Sequence, residues 1–422
     1  MRRFARFAVI VVAPLLWAVG ADAEVTALTH ATLIDGTGAP PQPDVTLVME
    51  NGHIAAVGPS ATTPVPAGAV AIDASGKYVV PGIINAHGHV GANREPQLRQ
   101  YALYGVTTTT SMAFDGDDIA AFKAEQKAGH LRGARILTVK YRFMSAPMKP
   151  GSEYPTPEAA RAKVDEIVAN GADFVKVWID PQGGKYPRLT PEYTAAVIEQ
   201  GRKHGKITMA HIVELADAQR VVDQGVNVIA HGVRDKLIDD EFAATLKRRN
   251  VSIMPTLARE EAMFIFGESP AWIDDPFFQK GLSAERLQEL KTKKRDDQAA
   301  DPDRAMYKRM FEIDKANMKK LVDAGVRVGL GTDSGGDPYR FFIQGFSEHH
   351  QMELMRDAGL SPMQIIQAYS KANSELLGID KEFGTLAVGK AADLLLLDKN
   401  PLDDIRNMRG IAAVYLGGGK FE

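Results

Sequence analysis

The sequence predicts an α/β protein: a (β/α)8 TIM barrel with a small β-sandwich domain built from both chain ends. Two observations predict this fold. Over residues 79–380, short apolar runs alternate with amphipathic helical stretches, which is typical of parallel strands with intervening helices. Residues 24–78 and 381–422 instead consist of short strands and turns. At 422 residues, the chain is long enough for one barrel and one smaller domain.

Residues 1–23 resemble a signal peptide for export. Three arginines within the first six residues give a positive start, residues 7–20 are apolar, and Ala21-Asp22-Ala23 fits a small-x-small cleavage site. The apolar stretch is short for a membrane span. We therefore expect a periplasmic or secreted protein without membrane attachment after cleavage. The sequence does not separate the general export route from the twin-arginine route.

The two chain ends predict the small β-sandwich domain. The run at residues 45–52 ends in an Asn-Gly pair, which is typical of a hairpin turn. Apolar runs follow at 54–58 and 69–73, and the same style resumes at 384–398 and 411–417. We therefore expect residues 24–78 and 381–422 to fold together.

The middle of the chain, residues 79–380, contains eight candidate strands. Helical stretches at 157–170, 191–204 and 215–224 separate some of them. In a barrel of this kind, the active site lies at the C-terminal ends of the strands. The candidate strands are residues 79–87, 106–112, 134–140, 173–179, 206–211, 226–231, 251–255 and 326–333.

The segment at 256–320, between candidate strands 7 and 8, is unusually long. It combines several aromatic residues with a charged helical stretch at 285–303. Insertions on the catalytic face often form lids or substrate walls. A helical elaboration without substrate contact is the alternative, and the sequence does not choose between them.

Six polar residues lie at or near the ends of candidate strands 1, 4, 5, 6 and 8. Neutral imidazoles and carboxylates are the usual protein ligands of zinc and similar divalent ions. Because these strand ends meet at one face of a barrel, the pattern predicts one metal centre and a hydrolase. The six residues are His87, His89, Lys176, His211, His231 and Asp333.

Lys176 is the most informative of the six. It lies within Phe-Val-Lys-Val-Trp-Ile, a run that we expect to be buried. A bare ammonium there would cost several kcal/mol unless it were paired or neutralised. Reaction of the amine with carbon dioxide would give a carbamate, an anion able to bridge two metal ions. The alternative is a lysine whose ammonium reaches solvent at the strand end.

The histidines and the aspartate complete the hypothesis. Side chains alternate along a strand, so His87 and His89 point to the same side. His211 and His231 end neighbouring strands, which favours ligation over two unrelated buried histidines. Asp333 could contact a metal ion and accept a proton from its bound water.

Composition narrows the classes of function. The formal net charge is −3 and no basic run is present, so nucleic acid is not an expected partner. The absence of cysteine excludes disulfides and thiolate ligands, and no Gly-x-Ser-x-Gly motif indicates a serine nucleophile. We expect a small-molecule substrate, and the sequence leaves a homo-oligomer open. His349 and His350 follow strand 8 and could approach the site.

These motifs resemble the amidohydrolase superfamily over essentially the whole mature chain. Within it, the chain is most similar to the branch of imidazolonepropionase-like and prolidase-like metal-dependent enzymes. The motifs that carry the resemblance are Pro81-Gly-Ile-Ile-Asn-Ala-His87-Gly-His89, Lys176, His211, Ala230-His231-Gly232, Gly331-Thr-Asp333, the closing Gly384-Thr-Leu-Ala-Val-Gly-Lys-Ala-Ala-Asp393 and the opening Asn-Gly-His-Ile-Ala-Ala-Val-Gly58.

The resemblance implies a site for two divalent metal ions, usually Zn²⁺. His87, His89 and Asp333 would bind one ion, His211 and His231 the other, and carbamylated (N6-carboxylated) Lys176 would bridge them. A metal-bound hydroxide would attack the carbonyl of an amide or peptide C–N bond. Asp333 would accept the proton and deliver it to the leaving amine.

The sequence also departs from the family pattern. Asn85 stands where an aspartate is often found two residues before the first histidine. The loops after strands 3 and 4 lack the typical prolidase-like motifs, so a dipeptide or N-acyl amino acid is a default substrate. Tyr141 and Arg142, at the end of strand 3, could meet a substrate carboxylate.

Two other classes of function remain open at this point. One is a one-metal deaminase or a cyclic-amide, lactone or ester hydrolase on the same barrel, which would not need a buried carbamate at Lys176. The other is a non-catalytic relative, which would normally have lost some of its ligands. None of the six ligand positions is lost here.

Overall fold

A computed structural model describes residues 25–130, 133–144, 156–181, 186–336 and 342–422. The predicted signal peptide lies outside these residues. The strands are β1 (Thr26–Leu33), β2 (Gln42–Glu50), β3 (His53–Pro59), β4 (Val70–Asp73), β5 (Tyr78–Pro81), β6 (Ile83–Asn85), β7 (Gly88–His89), β8 (Val106–Ser111), β9 (Arg135–Thr138), β10 (Arg142–Phe143), β11 (Phe174–Trp178), β12 (Ile207–His211), β13 (Val228–Ala230), β14 (Ser252–Met254), β15 (Ser334–Gly335), β16 (Leu394–Leu397), β17 (Ile411–Leu416) and β18 (Gly419–Lys420).

Helices follow most of the parallel strands. They are α1 (Arg94–Leu103), α2 (Ile119–Lys127), α3 (Pro157–Ala169), α4 (Pro191–Lys203), α5 (Leu215–Asp223), α6 (Asp240–Arg248), α7 (Leu257–Ala262), α8 (Pro276–Gln279), α9 (Ala284–Glu289), α10 (Arg295–Ala299), α11 (Arg304–Asp323), α12 (Phe346–Asp357), α13 (Pro362–Gln367) and α14 (Asn373–Leu376). Within the described part of the chain, no helix is both long enough and apolar enough to span a membrane.

Strands from both ends of the chain pair in one mixed sheet. Its order is β18-β17-β16-β5-β1-β2-β3, with β4 beside β1. The antiparallel pair of β16 with β5 joins the C-terminal strands to the N-terminal ones, with Leu395 opposite Val80. Apolar side chains such as Leu28, Leu47 and Leu394 form a core of their own for this sheet.

The candidate strand at 79–87 is not one strand, and this corrects the sequence prediction. Its first part is β5 in the mixed sheet, and its second part is β6, which pairs with β8. Gly82 lies at the junction, where a Cβ atom would lie 2.3 Å from the Thr107 side chain. Only glycine allows so close an approach, so the chain can cross from one sheet to the other there.

The parallel strands form three groups. β6, β8 and β9 form one sheet, β10 to β14 form a second, and β7 pairs with β15. Six of the predicted strands, from 106–112 to 251–255, each contain one of these strands, and no end differs by more than two residues. The prediction of an α/β fold with parallel strands is therefore confirmed.

The region predicted as strand 8, residues 326–333, is not a regular strand. Val328 forms an isolated parallel bridge with Ile253 of β14. Farther along, the backbone nitrogen of Ala86 donates to the carbonyl of Leu330, and that of Asp333 donates to the carbonyl of His87 over 2.7 Å. This region therefore lies between β14 and the start of the parallel series, although the ladder of paired strands is not continuous.

Three predicted helices are confirmed to within one residue. α3 and α4 both begin with proline after a threonine that caps the helix: Thr156 accepts from the backbone of Ala159, and Thr190 from that of Tyr193. Proline suits this position because the missing N–H would have no partner in the first turn.

The segment at 256–320 is largely helical, from α7 to α11. Several of its aromatic residues pack with Phe346 in a separate apolar core. This core is here called the aromatic cluster, and its aromatic members are Tyr104, Phe266, Trp272, Phe277, Phe278, Phe342 and Phe346. Trp272 lies 4.9 Å from Phe278 and 5.2 Å from Phe346, measured between ring centroids. These aromatic side chains therefore stabilise the insertion itself.

Candidate metal centre

The six predicted site residues come from strands or loops at one end of the parallel sheets. His89 ends β7, Lys176 lies in β11 and His211 ends β12. His87, His231 and Asp333 lie just outside regular strands. All six are buried, with at most 7% of any residue exposed.

The structure brings these six side chains together. The Lys176 amine lies 2.7 Å from Nε2 of His87, and Asp333 Oδ1 lies 2.6 Å from Nε2 of His89. One potential ligand atom each from His87, His231 and Asp333 lies within 4.8 Å of the other two. The His211 ring lies 4.3 Å from that of His231, between centroids.

Two of these residues have unusual backbone conformations. His231 has a φ of 72° and Asp333 a φ of 56°, both in the left-handed region. Residues other than glycine adopt this region at a cost of about 1–3 kcal/mol, and such residues concentrate at functional sites. The fold holds both residues there through hydrogen bonds, including that from the Asp333 nitrogen to His87.

The site opens into a cavity of about 800 Å³, here called the metal cavity. This volume lies within the range of small-molecule binding sites. Its wall is formed by all six residues together with Val90, Gly91, Ala92, Asn93, Gln97, Ala113, Phe114, Arg142, Trp178 and Gly336.

Burial keeps His87, His211 and His231 neutral. It lowers the pKa of His211 to about 3. Burial, together with the neighbouring Lys176 amine, lowers the pKa of His87 well below its ordinary value, and burial lowers that of His231 similarly. A neutral imidazole keeps a lone pair, which is the form that binds a metal ion.

The residues fit a divalent metal ion. Nε2 of His211 is buried and has no hydrogen-bond partner among the described residues, and a carboxylate oxygen of Asp180 is 3.7 Å away. On His231, Nδ1 contacts the Thr256 hydroxyl over 2.6 Å, which orients the ring. Neutral imidazoles beside a carboxylate form a donor set that suits zinc.

Glu348, on α12, is a buried residue behind the site that the sequence reasoning missed. Its Oε1 accepts hydrogen bonds from Asn85, Thr332 and Ser334 over 2.6–2.7 Å. Burial raises its pKa. The sequence shows only a glutamate beside His349 and His350, the two histidines predicted to be able to approach the site.

The structure explains why position 85 holds an asparagine where an aspartate is often found. Its Oδ1 accepts from the backbone nitrogen of His87 over 3.0 Å, and its Nδ2 donates to Glu348. An aspartate at this position would face the Glu348 carboxylate without a proton to share. The amide therefore connects the first histidine to a buried carboxylate.

The two predicted substrate-binding residues differ in position. The Arg142 guanidinium lies in the wall of the metal cavity, 4.2 Å from the Trp178 ring centroid and 5.4 Å from that of Phe114. Tyr141 is not in this wall; its ring contacts Phe114 and Phe143 and packs against the main core. The geometry therefore favours Arg142 alone as a substrate contact.

His349 and His350 do not line the metal cavity. Nε2 of His349 donates to the carbonyl of Tyr104 over 2.7 Å, and His350 contacts Glu261. The His350 ring stacks on Phe346 in the aromatic cluster. The possibility that these histidines approach the site is therefore not supported.

Comparison with known proteins agrees with this geometry. The model of the amidohydrolase family matches residues 78–419. A solved structure of a proposed prolidase from Bifidobacterium longum superimposes with a TM-score of 0.77 and 27% identity, covering 94% of each chain.

Two curated relatives are more distant. Ochratoxinase from Aspergillus niger is 23% identical over 267 residues, covering 62% of this chain and 46% of the relative. Adenine deaminase from Mesorhizobium japonicum is 22% identical over 391 residues, covering 89% of this chain and 54% of the relative. The chain thus spans about half the length of these relatives. Since the family model matches most of the sequence, the chain belongs to the amidohydrolase family.

Proposed function

We propose that this protein is an exported, binuclear metal-dependent amidohydrolase that cleaves the C–N bond of a dipeptide or an N-acyl amino acid. The observation that carries the proposal is the convergence of His87, His231 and Asp333 beside the Lys176 amine. His89 and His211 complete the ligand set. Zinc suits these donors best.

The state of Lys176 is the second part of the proposal. Its residue is only 2% exposed, and its amine lies against a neutral imidazole. An ammonium in this position would be costly to bury. Carboxylation by CO2 forms a C–N bond to the amine and releases a proton, which leaves an anion suited to bridging two cations.

The fold proposal is a closed (β/α)8 TIM barrel. The bridge between Val328 and Ile253 and the hydrogen bonds from residues 86 and 333 support closure between the last and first strands. The paired strands are also interrupted between the sheet that ends at β9 and the sheet that contains β11. Here the Asp173 nitrogen donates to the carbonyl of Thr138 over 2.8 Å, which supports continuity between β9 and β11.

Bound divalent cations would polarise the scissile carbonyl and make water nucleophilic near neutral pH. Asp333 has a ligand atom within 4.8 Å of those of His87 and His231, and it lines the metal cavity. Its carboxylate would accept the proton of the attacking water and pass it to the leaving nitrogen as the C–N bond breaks.

Arg142 would select the substrate. Its guanidinium, held between Phe114 and Trp178, can bind a carboxylate through two parallel hydrogen bonds. Arg142 and Asp333 line the same cavity, so Arg142 can bind a carboxylate on the leaving-group side of a substrate whose scissile bond also lies in this cavity. The position of Arg142 in the cavity wall therefore favours dipeptides and N-acyl amino acids over neutral amides.

The alternative is a one-metal deaminase or a cyclic-amide, lactone or ester hydrolase. The similarity to adenine deaminase favours this candidate. A buried lysine amine beside the ligands favours the two-metal reaction, because a one-metal site has no use for a bridging carbamate.

A substrate screen tests the proposal. Purified protein supplied with Zn²⁺ and bicarbonate is assayed against dipeptides, N-acyl amino acids, their carboxamides, lactones and adenine. We expect hydrolysis of substrates with a free carboxylate and slower hydrolysis of the matched carboxamides. Activity on adenine or lactones alone would overturn the proposal in favour of the alternative.

The proposed export rests on residues 1–23 alone. Fractionation of a bacterial host that expresses the full chain, followed by N-terminal sequencing, tests it. We expect a periplasmic or secreted protein that begins at Glu24. An intact N-terminus in the cytoplasm would contradict it.

A further inference from the structure

A second cavity adjoins the metal cavity. It has a volume of about 540 Å³ and is here called the side chamber. Asn93, Gln97 and Gly336 line both cavities. The remaining wall of the side chamber is formed by Pro96, Gln100, Gly281, Leu282, Ser283, Glu285, Arg286, Glu289, Ile343 and Gln344.

Gln97 holds the boundary between the two cavities. Its side-chain oxygen accepts hydrogen bonds from the backbone nitrogens of Gly91, over 3.1 Å, and Gly336, over 3.2 Å. Gly91 lies two residues after His89, and Gly336 lies three residues after Asp333. The entrance to the side chamber therefore lies directly beside two of the proposed metal ligands.

The far wall of the side chamber comes from the insertion, at α9 and the residues before it. This wall is held close to α1, because a Cβ atom at Gly281 would lie 2.6 Å from Nε2 of Gln100. Gln100 also donates to the carbonyl of Gln344 over 3.2 Å. The insertion thus forms a fixed wall of the side chamber, in addition to its own aromatic core.

The charged groups of the side chamber are predominantly acidic. Arg286 forms an ion pair with Glu289 one turn later. Glu285 has an exposed side chain and forms no ion pair with any described residue. The Glu285 carboxylate therefore remains to face a cation in the cavity that Asn93 and Gln97 also line.

We propose that the side chamber is a distal subsite that binds the acyl side of the substrate, as a peptide-like chain ending in a cationic group. This inference rests on the proposed function and names the part of the substrate beyond the scissile bond. Arg142 and Asp333 both line the metal cavity, and this cavity shares Asn93, Gln97 and Gly336 with the side chamber. A substrate held at Arg142 can therefore extend across the metal cavity into the side chamber.

The test compares two substrates with the same C-terminal residue and scissile bond. One carries a short acetyl group, and the other carries a lysyl-glycyl extension with its free cationic groups. The variants are Glu285→Gln, which removes the charge, and Glu285→Trp, which fills the chamber. Gln288→Trp is the matched control, because Gln288 lies on the same helix, is exposed and does not line the chamber.

We expect Glu285→Gln to raise the KM of the extended substrate about two- to fivefold, as for a partly exposed ion pair. Glu285→Trp should lower its kcat/KM about tenfold or more through steric exclusion. Neither change should alter hydrolysis of the acetyl substrate, and Gln288→Trp should alter neither substrate. Equal values for the extended substrate in all four proteins, or failure to cleave it while the acetyl substrate is cleaved, would overturn the distal subsite.

A binding measurement separates this proposal from the proposed reaction. The lysyl-glycine product itself is titrated into each protein by calorimetry. Weaker binding in Glu285→Trp but not in Gln288→Trp supports the subsite even if neither amide is hydrolysed. Unchanged binding in both variants overturns the subsite even if hydrolysis is observed.

Discussion

The metal cavity and the aromatic cluster both contain buried histidines, and they differ in what surrounds the rings. Burial lowers the pKa of His211 and of His349 to about 3. His349 donates to a backbone carbonyl and lies among aromatic rings, whereas His211 lies beside other histidines at an open cavity. Burial and a lowered pKa therefore do not identify a metal site. The convergence of His211 with a carboxylate and a lysine amine is what supports the proposed metal site.

The largest expected effect is on kcat, and it distinguishes Asp333 in the metal cavity from His349 beside the aromatic cluster. Asp333→Asn should lower kcat by about 10²- to 10⁴-fold, because the carboxylate would no longer accept a proton. Steady-state kinetics with metal analysis of the same sample measures this. His349→Phe is the control and should change kcat less than threefold, on the order of a conservative core change. Similar losses in both variants would remove the distinction between the two regions.

The next effect tests substrate recognition within the metal cavity. Arg142→Met keeps the apolar packing between Phe114 and Trp178 but removes the charge. We expect it to raise the KM of a carboxylate substrate about 100-fold, as for loss of a charged hydrogen-bonded pair. The matched carboxamide substrate should change little. An equal change for both substrates would indicate that Arg142 is structural.

The third effect concerns the residue behind the site. Glu348→Gln replaces the carboxyl group that accepts from Asn85, Thr332 and Ser334. We expect a loss of metal affinity of about 10- to 100-fold, typical of residues that orient ligands. Competition with a chelator measures it. Glu261→Gln, beside His350 in the aromatic cluster, is the control and should leave metal affinity unchanged.

The smallest effect concerns stability and involves both regions. A buried histidine with a lowered pKa stays neutral in the folded protein, whereas in the unfolded chain it takes up a proton below about pH 6.5. The metal-free protein should therefore lose stability progressively as the pH falls from 6.5 toward 3. Urea denaturation should show this loss, and a smaller slope in His349→Phe. An identical slope in that variant would contradict the lowered pKa of His349.

Much of the fold could be predicted because local patterns decide it. Threonine followed by proline marks the start of α3 and α4, and short apolar runs mark β8, β9 and β11 to β14. The two-residue strand β10 was not predicted. The break at Gly82 could not be predicted, because β5 and β6 form one continuous apolar run. Its division depends on contacts with Thr107 and β16, which are distant in the sequence.

The site was predictable to a similar degree. The C-terminal ends of parallel strands meet at one face of a barrel, however the side chains pack. The six candidates could therefore be named from their positions at or near the ends of candidate strands. Glu348 could not, because a helical glutamate gives no sign of being buried. Tyr141 and Arg142 are neighbours in sequence, but they point to different surroundings, and only the tertiary structure separates them.

The metal content of the purified protein tests the central claim most directly. Elemental analysis of the wild-type chain should give close to two divalent ions per chain, and Lys176→Ala should lose both together, whereas Lys163→Ala, a surface control, should keep them. One ion per chain, retained in Lys176→Ala, would contradict the binuclear account.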